Sequence, residues 1–307
     1  MLKLSYKYLR ASAKIILSCF EPVGQFILFS NIILWLDFFT GKCMNNELIK
    51  KLAAEKAVDE IRDGMVVGLG TGSTFHFALL KIAERINSGE LRSIKCVASS
   101  KQTEQKAIEL GIPLVTLNEI FLSENEKRKT ENEANLMSHA SPISPIDIYI
   151  DGADEVAISH PEQSEESNEF NLIKGGGGAL LREKIVAQAS KRFIVIVDES
   201  KLSPKLGMNF PIPIEVMQFA VEAEKRFLES YGAIVTIRKS SDGEHLITDE
   251  GNFILDAKVS AIESVDEFAS LLEKRAGIVE HGLFRKELVA KVICAMSDGS
   301  VKELLSA

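Results

Sequence analysis

The chain has 307 residues, 46% of them hydrophobic and 26% charged, enough for one large domain or two smaller ones with a core each. Its formal net charge of -8 argues against a general nucleic-acid binder, which needs a basic patch, but leaves room for a small anion held by local lysines and backbone N–H groups. Cys19, Cys43, Cys96 and Cys294 show no CxxC spacing and the five histidines no ligand spacing, so neither a disulfide framework nor a zinc site is expected, and a reducing, cytoplasmic setting fits.

Residues 1–43 are a different material from the rest. Lys3, Lys7, Arg10 and Lys14 precede apolar runs at Ile15 to Phe20 and Phe26 to Phe39, interrupted by Glu21, Pro22, Gly24, Ser30, Asn31 and Asp37. No run reaches the roughly 18 uninterrupted apolar residues of a membrane-spanning helix. Two readings stand, a peripheral membrane attachment or a functional chain that begins at Met44. The second is the expectation, because everything downstream of Met44 reads as a water-soluble fold.

From Met44 the pattern alternates. A helix to about Arg62 leads to a buried strand, Met65 to Leu69, then to the loop Gly70-Thr71-Gly72-Ser73-Thr74 and a helix from Phe75 to Ile86. The strand Ser93 to Ala98 and the helix Gln102 to Leu110 repeat the unit, and Ile146 to Ile150 and Phe193 to Val197 are further apolar strands. Such alternation predicts a parallel sheet with helices on both faces, whose ligands bind beyond the carboxyl ends of the strands. Gly70 to Thr74, Asp151 to Asp154 and Asp198 to Lys201 stand at those ends. The polar segments Ser123 to Ser144 and Ser159 to Asn168 are expected to be surface insertions.

Past Gly207 the texture changes. Phe210 to Val216 alternates like an edge strand that tolerates proline. A helix from Ala220 to Tyr231, strands Ala233 to Lys239 and Asn252 to Lys258, and a helix Val265 to Lys274 complete a compact α+β unit. The expected organisation is therefore residues 44–206 with about 290–307 as one α/β domain, about 207–289 as a small α+β domain, and 1–43 as an extension.

Several residues could carry chemistry. The Gly70 to Thr74 loop, between a strand and a helix, can hold a phosphate with successive N–H groups, or is simply a tight turn with Ser73 or Thr74 as N-cap. It lacks the full GxGxxG spacing, and Ser99-Ser100-Lys101 stands where a ribose-binding acid would be, so NAD is disfavoured. Asp151 and Asp154 frame a loop with Gly152 and Ala153; such a pair can bind sugar hydroxyls and shuttle a proton, or Asp151 can merely cap the strand end. Lys174 with Gly175, Gly176, Gly177 and Gly178, opening a helix, reads as an oxyanion loop more readily than as a spacer. Glu183 lies on the first turns of that helix, where the macrodipole favours an ionised carboxylate and a general base, or ordinary helix stabilisation. Lys201 is either a solvated charge or a second anion contact.

Taken together, Gly-Thr-Gly-Ser-Thr at 70–74, Asp-Gly-Ala-Asp-Glu at 151–155, Lys-Gly-Gly-Gly at 174–177, Arg-Glu-Lys at 182–184 and Asp-Glu-Ser-Lys at 198–201 resemble the ribose-5-phosphate isomerase family of the A type, in family order from about Met44 onward. The resemblance implies a doubly wound, Rossmann-like domain with a smaller ferredoxin-like domain, and a homo-oligomer, dimer or tetramer. It implies interconversion of D-ribose 5-phosphate and D-ribulose 5-phosphate in the pentose phosphate pathway, with no metal or cofactor. It also implies Glu183 as base, Lys174 and the N–H groups of Gly175 to Gly177 on a cis-enediolate, Asp151 moving hydroxyl protons, Asp154 on sugar hydroxyls, Thr71 to Thr74 on the substrate and its phosphate, and Lys201, with Lys50 a weaker candidate, as further contacts. Neither nucleic acid nor, for the catalytic part, a membrane is implied as a partner. The departures are the preface and the two polar insertions. Rivals of related fold are a sugar-phosphate sensor domain, an amino-sugar phosphate deaminase and a coenzyme A transferase.

Overall fold

The computed structural model describes residues 45–123, 144–158 and 170–306. The expectations for residues 1–43 and for the two polar insertions fall outside this range, apart from Ser123 and Ser144 at its edges. In chain order the elements are α1 (Asn46–Val58), β1 (Val66–Leu69), α2 (Ser73–Asn87), β2 (Lys95–Ala98), α3 (Lys101–Glu109), β3 (Ile148–Asp151), β4 (Glu155–Ile158), β5 (Phe170–Ile173), α4 (Leu180–Gln188), β6 (Phe193–Asp198) and β7 (Leu202–Ser203). They continue with β8 (Ile212–Val216), α5 (Val221–Ser230), β9 (Ile234–Ile237), β10 (Phe253–Lys258), α6 (Val265–Glu273), β11 (Ile278–His281), β12 (Leu283–Phe284), β13 (Lys291–Ala295) and β14 (Val301–Leu305).

The first sheet has the order β14-β13-β6-β3-β1-β2. All its pairings are parallel except the antiparallel edge pair β13–β14. All six residues of β6 are buried, as a strand covered on both faces requires. On one face Tyr149, Val195, Val197, Val292 and Cys294 pack with Val186 and Ala187 of α4. Strand alternation turns Ile148, Ile150, Ile194 and Ile196 to the other face, where α1, with buried Ala53, Ala54 and Ala57, lies against β6 and β13. This is the doubly wound arrangement, and its strands end at the loops that carry the chemistry.

The second sheet, β11-β8-β10-β9, is antiparallel throughout. Its strand–helix–strand–strand–helix–strand chain order, with the first strand beside the last, is the ferredoxin-like topology. One detail corrects the sequence reading: β8 is not an edge strand but lies between β10 and β11. Pro213 is tolerated because β11 ends at His281, so the side of Pro213 that lacks an N–H meets Gly282, whose own N–H donates to the Pro213 carbonyl (2.7 Å). A third sheet, β12-β5-β4-β7, absent from the sequence reading, joins the other two.

Candidate active site

The first sheet and the third sheet deliver their loops to one cavity, lined by Lys50, Thr71 to Thr74, Gly152 to Asp154, Lys174 to Gly177, Glu183 and Lys201. Each of the candidate residues is among them except Asp151, which is fully buried behind the wall. Its Oδ1 accepts the N–H groups of Thr71 (2.8 Å) and Gly152 (2.7 Å), and its Oδ2 accepts from Lys174 Nζ (2.8 Å) and Tyr149 Oη (2.5 Å). A carboxylate with both oxygens so engaged is a fixed counter-charge. Asp151, expected to touch the ligand and move its hydroxyl protons, lies here behind the cavity wall with its acceptor sites engaged by the protein.

Lys174 is the hub. Its ammonium donates to Asp151 and to the Gly152 carbonyl (2.5 Å), and lies 3.5 Å from Glu183 Oε2, so its remaining proton points towards Glu183 and the cavity. Burial alone would lower the Lys174 pKa, but the charges of Asp151 and Glu183 outweigh it and hold the pKa above the ordinary lysine value. The Phe284 ring backs the ammonium at 5.6 Å from its centroid.

Glu183 behaves differently from the sequence argument. Desolvation, opposed by Lys174 and reinforced by Asp151 and Asp154, pushes its carboxyl up to about 8. A helix dipole contributes about 0.3–1 kcal/mol, too little to offset the loss of hydration at a residue only 3% exposed. Its Oε2 is buried with no hydrogen-bond partner among the described residues. A carboxyl in a cavity wall with a raised pKa, its Oε2 held only by the long 3.5 Å contact to Lys174, is an arrangement that suits a general base. A base works ionised, so a reaction run by Glu183 should slow as pH falls through a limb well above the ordinary glutamate value. The pH profile of kcat/KM checks this; the second ionisation of a phosphate ester lies near about 6, so a limb above that value belongs to the protein.

In the Gly70 to Thr74 loop the alternative of a turn capped by Ser73 or Thr74 does not hold. The N-cap of α2 is Gly72, at φ 100°, and no side chain caps the helix, so neither Ser73 nor Thr74 plays that part. The first N–H groups of α2 are left for a ligand beside Lys50, whose Nζ donates to Ser73 Oγ (2.9 Å). Thr71 lines the cavity, but its hydroxyl is committed to the buried Ser99, Ser100 and Thr103 cluster, donating to Ser100 Oγ (2.8 Å), and its N–H to Asp151. It shapes the loop with its backbone and methyl group rather than through a free polar group.

The expectation for the glycine loop narrows as well. The Gly176 N–H donates to Asp154 Oδ2 (2.7 Å), while those of Gly175 and Gly177 carry no hydrogen bond among the described residues. A Cβ on Gly176 would lie 2.5 Å from Asp154 Oδ1, so only glycine lets the loop approach the carboxylate this closely. Burial raises the Asp154 pKa against the opposing pull of the Gly176 hydrogen bond, Lys174, Lys201 and Arg238. Sequence reasoning missed Tyr149, the Ser99–Ser100–Thr103 cluster and Arg238. Tyr149 alternates with Asp151 on one strand face, a signal present in the sequence; the others are brought in by tertiary structure alone.

Residues 122–299, more than half of the chain, match the family model for "Ribose 5-phosphate isomerase A (phosphoriboisomerase A)". A ribose-5-phosphate isomerase A of Desulfatibacillum aliphaticivorans is 46% identical over 263 residues, covering 86% of this chain and 99% of the relative. Among solved structures, a D-ribose-5-phosphate isomerase in complex with phospho-erythronic acid aligns with a TM-score of 0.70 at 36% identity, over 85% of this chain and all of the other. The ribose 5-phosphate isomerase of Plasmodium falciparum aligns equally well, with a TM-score of 0.70, 36% identity and coverage of 85% and 99%.

Proposed function

This chain belongs to the ribose-5-phosphate isomerase A family, and from that premise we propose how its cavity interconverts D-ribose 5-phosphate and D-ribulose 5-phosphate. The observation that carries the mechanism is the buried Glu183 carboxyl, whose Oε2 has no partner among the described residues but the Lys174 ammonium 3.5 Å away. With the open-chain aldose bound, Glu183 removes the C2 proton. The electron pair forms the C1–C2 double bond, and the former carbonyl oxygen becomes an enediolate oxygen facing Lys174 and the N–H of Gly177. The O2 proton passes to O1 across the ammonium, Glu183 returns its proton to C1, and C2 is left as the ketone. A proton α to a carbonyl becomes removable at neutral pH once the oxyanion is stabilised, and the Lys174 charge is placed to do this. Asp154 holds sugar hydroxyls, the N-terminus of α2 with Lys50, Ser73 and Thr74 takes the phosphate, and Lys201 adds a second cation.

Asp151 acts through Lys174, fixing its position and its charge. Among the described residues no three His, Cys, Asp or Glu side chains gather as a metal site. The reading extends to a place in the non-oxidative pentose phosphate pathway, a cytoplasmic setting and a homo-oligomer. No helix among the described residues is long and apolar enough to cross a membrane. The direct test supplies D-ribose 5-phosphate in the presence of EDTA and follows ketose formation. Ketose should accumulate; none from pure, folded protein sinks the proposal.

A further inference from the structure

The glycine loop is held from behind by a residue of the second sheet. Arg238 follows β9, with its backbone tied on both sides: its N–H donates to the Ile254 carbonyl (2.8 Å) and its carbonyl accepts from Leu246 (3.0 Å). Its guanidinium grips the Asp256 carboxylate of β10 through Nε (2.9 Å) and Nη2, which fixes the plane of the fork. The remaining corner, Nη1, donates to the carbonyls of Gly175 (2.7 Å) and Gly176 (3.0 Å). The side chain is only 12% exposed.

A trans peptide points its C=O and the following N–H in opposite directions. Drawing the Gly175 carbonyl towards Arg238 therefore turns the Gly176 N–H the other way, where it meets Asp154 (2.7 Å). Drawing in the Gly176 carbonyl turns the Gly177 N–H away from Arg238, and that group has no partner among the described residues. Glycines lack the Cβ barrier that would otherwise keep such peptides from flipping, and consecutive glycines leave the orientation to whatever holds the carbonyls.

We infer that Arg238, anchored by Asp256, is a positioning residue for the isomerisation: it sets two successive peptide planes so that the Gly177 N–H is presented to the enediolate oxygen. The inference rests on the isomerase reading above. It gives the ferredoxin-like unit a part in the chemistry, since Arg238 touches no reacting atom and works through the loop.

The test compares wild type with Arg238→Gln and Asp256→Asn, reading kcat, KM, the affinity for phospho-erythronic acid and the affinity for inorganic phosphate. Misorienting one donor should lower kcat of Arg238→Gln by up to the roughly 10²- to 10³-fold that removing a donor outright costs, with KM within about threefold of wild type. Affinity for phospho-erythronic acid, whose carboxylate carries negative charge as the enediolate does, should fall with kcat, while that for inorganic phosphate at α2 stays. Asp256→Asn, which keeps the guanidinium but loosens its grip, should show the same pattern more weakly and serves if Arg238→Gln does not fold. Either folded variant with wild-type kcat and wild-type affinity for phospho-erythronic acid overturns the inference, as does a parallel loss of phosphate affinity. If wild type forms no ketose, the isomerase reading fails, and the two anion affinities still decide whether Arg238 sets the loop.

Discussion

Glu183→Gln should fold, bind sugar phosphate and lose turnover by roughly 10²- to 10⁴-fold, the range of a removed general base. Glutamine matches the shape of the carboxyl but cannot accept the C2 proton. The substitution should also stabilise the protein in alkaline solution. The Glu183 pKa is raised in the folded state, to about 8 from an ordinary 4.5. The stability linked to this group is therefore fully present below pH 4.5 and is lost as pH rises through the folded value. Glutamine stays neutral throughout, so the variant should melt higher than wild type at pH 9 and differ least at pH 5. Steady-state kinetics and melting curves at the two pH values check both halves. A variant with near-normal kcat removes Glu183 from its role.

Lys174→Met should fail on two separate counts. Turnover falls roughly 10²- to 10³-fold with the loss of the charge facing the enediolate. Stability falls as well, because the Asp151 carboxyl, at zero exposure, loses its cation and is left with only Tyr149 and two backbone N–H groups as partners. Breaking a buried pair in this way costs about 3–5 kcal/mol, or very roughly 6–20 °C in Tm for a unit of this size. Adding Asp151→Asn removes the stranded charge. The double variant should regain most of the lost stability and none of the lost activity, which separates the electrostatic balance of the site from its catalytic use. Equal loss of Tm in the single and double variants would mean that Asp151 carries no such burden.

The parallel sheet is legible in the sequence because its inner strands are unbroken apolar runs, Phe193 to Val197 most plainly, each followed by distinctive turn residues. The ferredoxin-like unit is legible for the same local reasons, save for Pro213. There the proline pointed to an edge strand, whereas β8 is an inner strand whose neighbour β11 stops one residue short of Pro213. The third sheet leaves little trace, since β7 and β12 are two residues each and β4 and β5 four. Such short strands are fixed by neighbours distant in the chain. Within the site, Lys174, Asp154 and Glu183 could be picked out by residue type and spacing. That Asp151 is sealed behind Lys174 and that Arg238 reaches the glycine loop from residues more than sixty positions away could not, because neither follows from local pattern.

The position of β13 in the first sheet bears on how the molecule is made. This strand, residues 291–295, pairs with β6, whose other neighbour is β3. A nascent chain that lacks it has β6, with its buried Phe-Ile-Val-Ile-Val run, as a bare sheet edge, the kind of edge that invites pairing with other chains. The catalytic sheet therefore closes after the ferredoxin-like unit has emerged from the ribosome, although most of its strands are synthesised earlier. Such late, long-range pairing makes folding slow and leaves β6 in need of protection during synthesis.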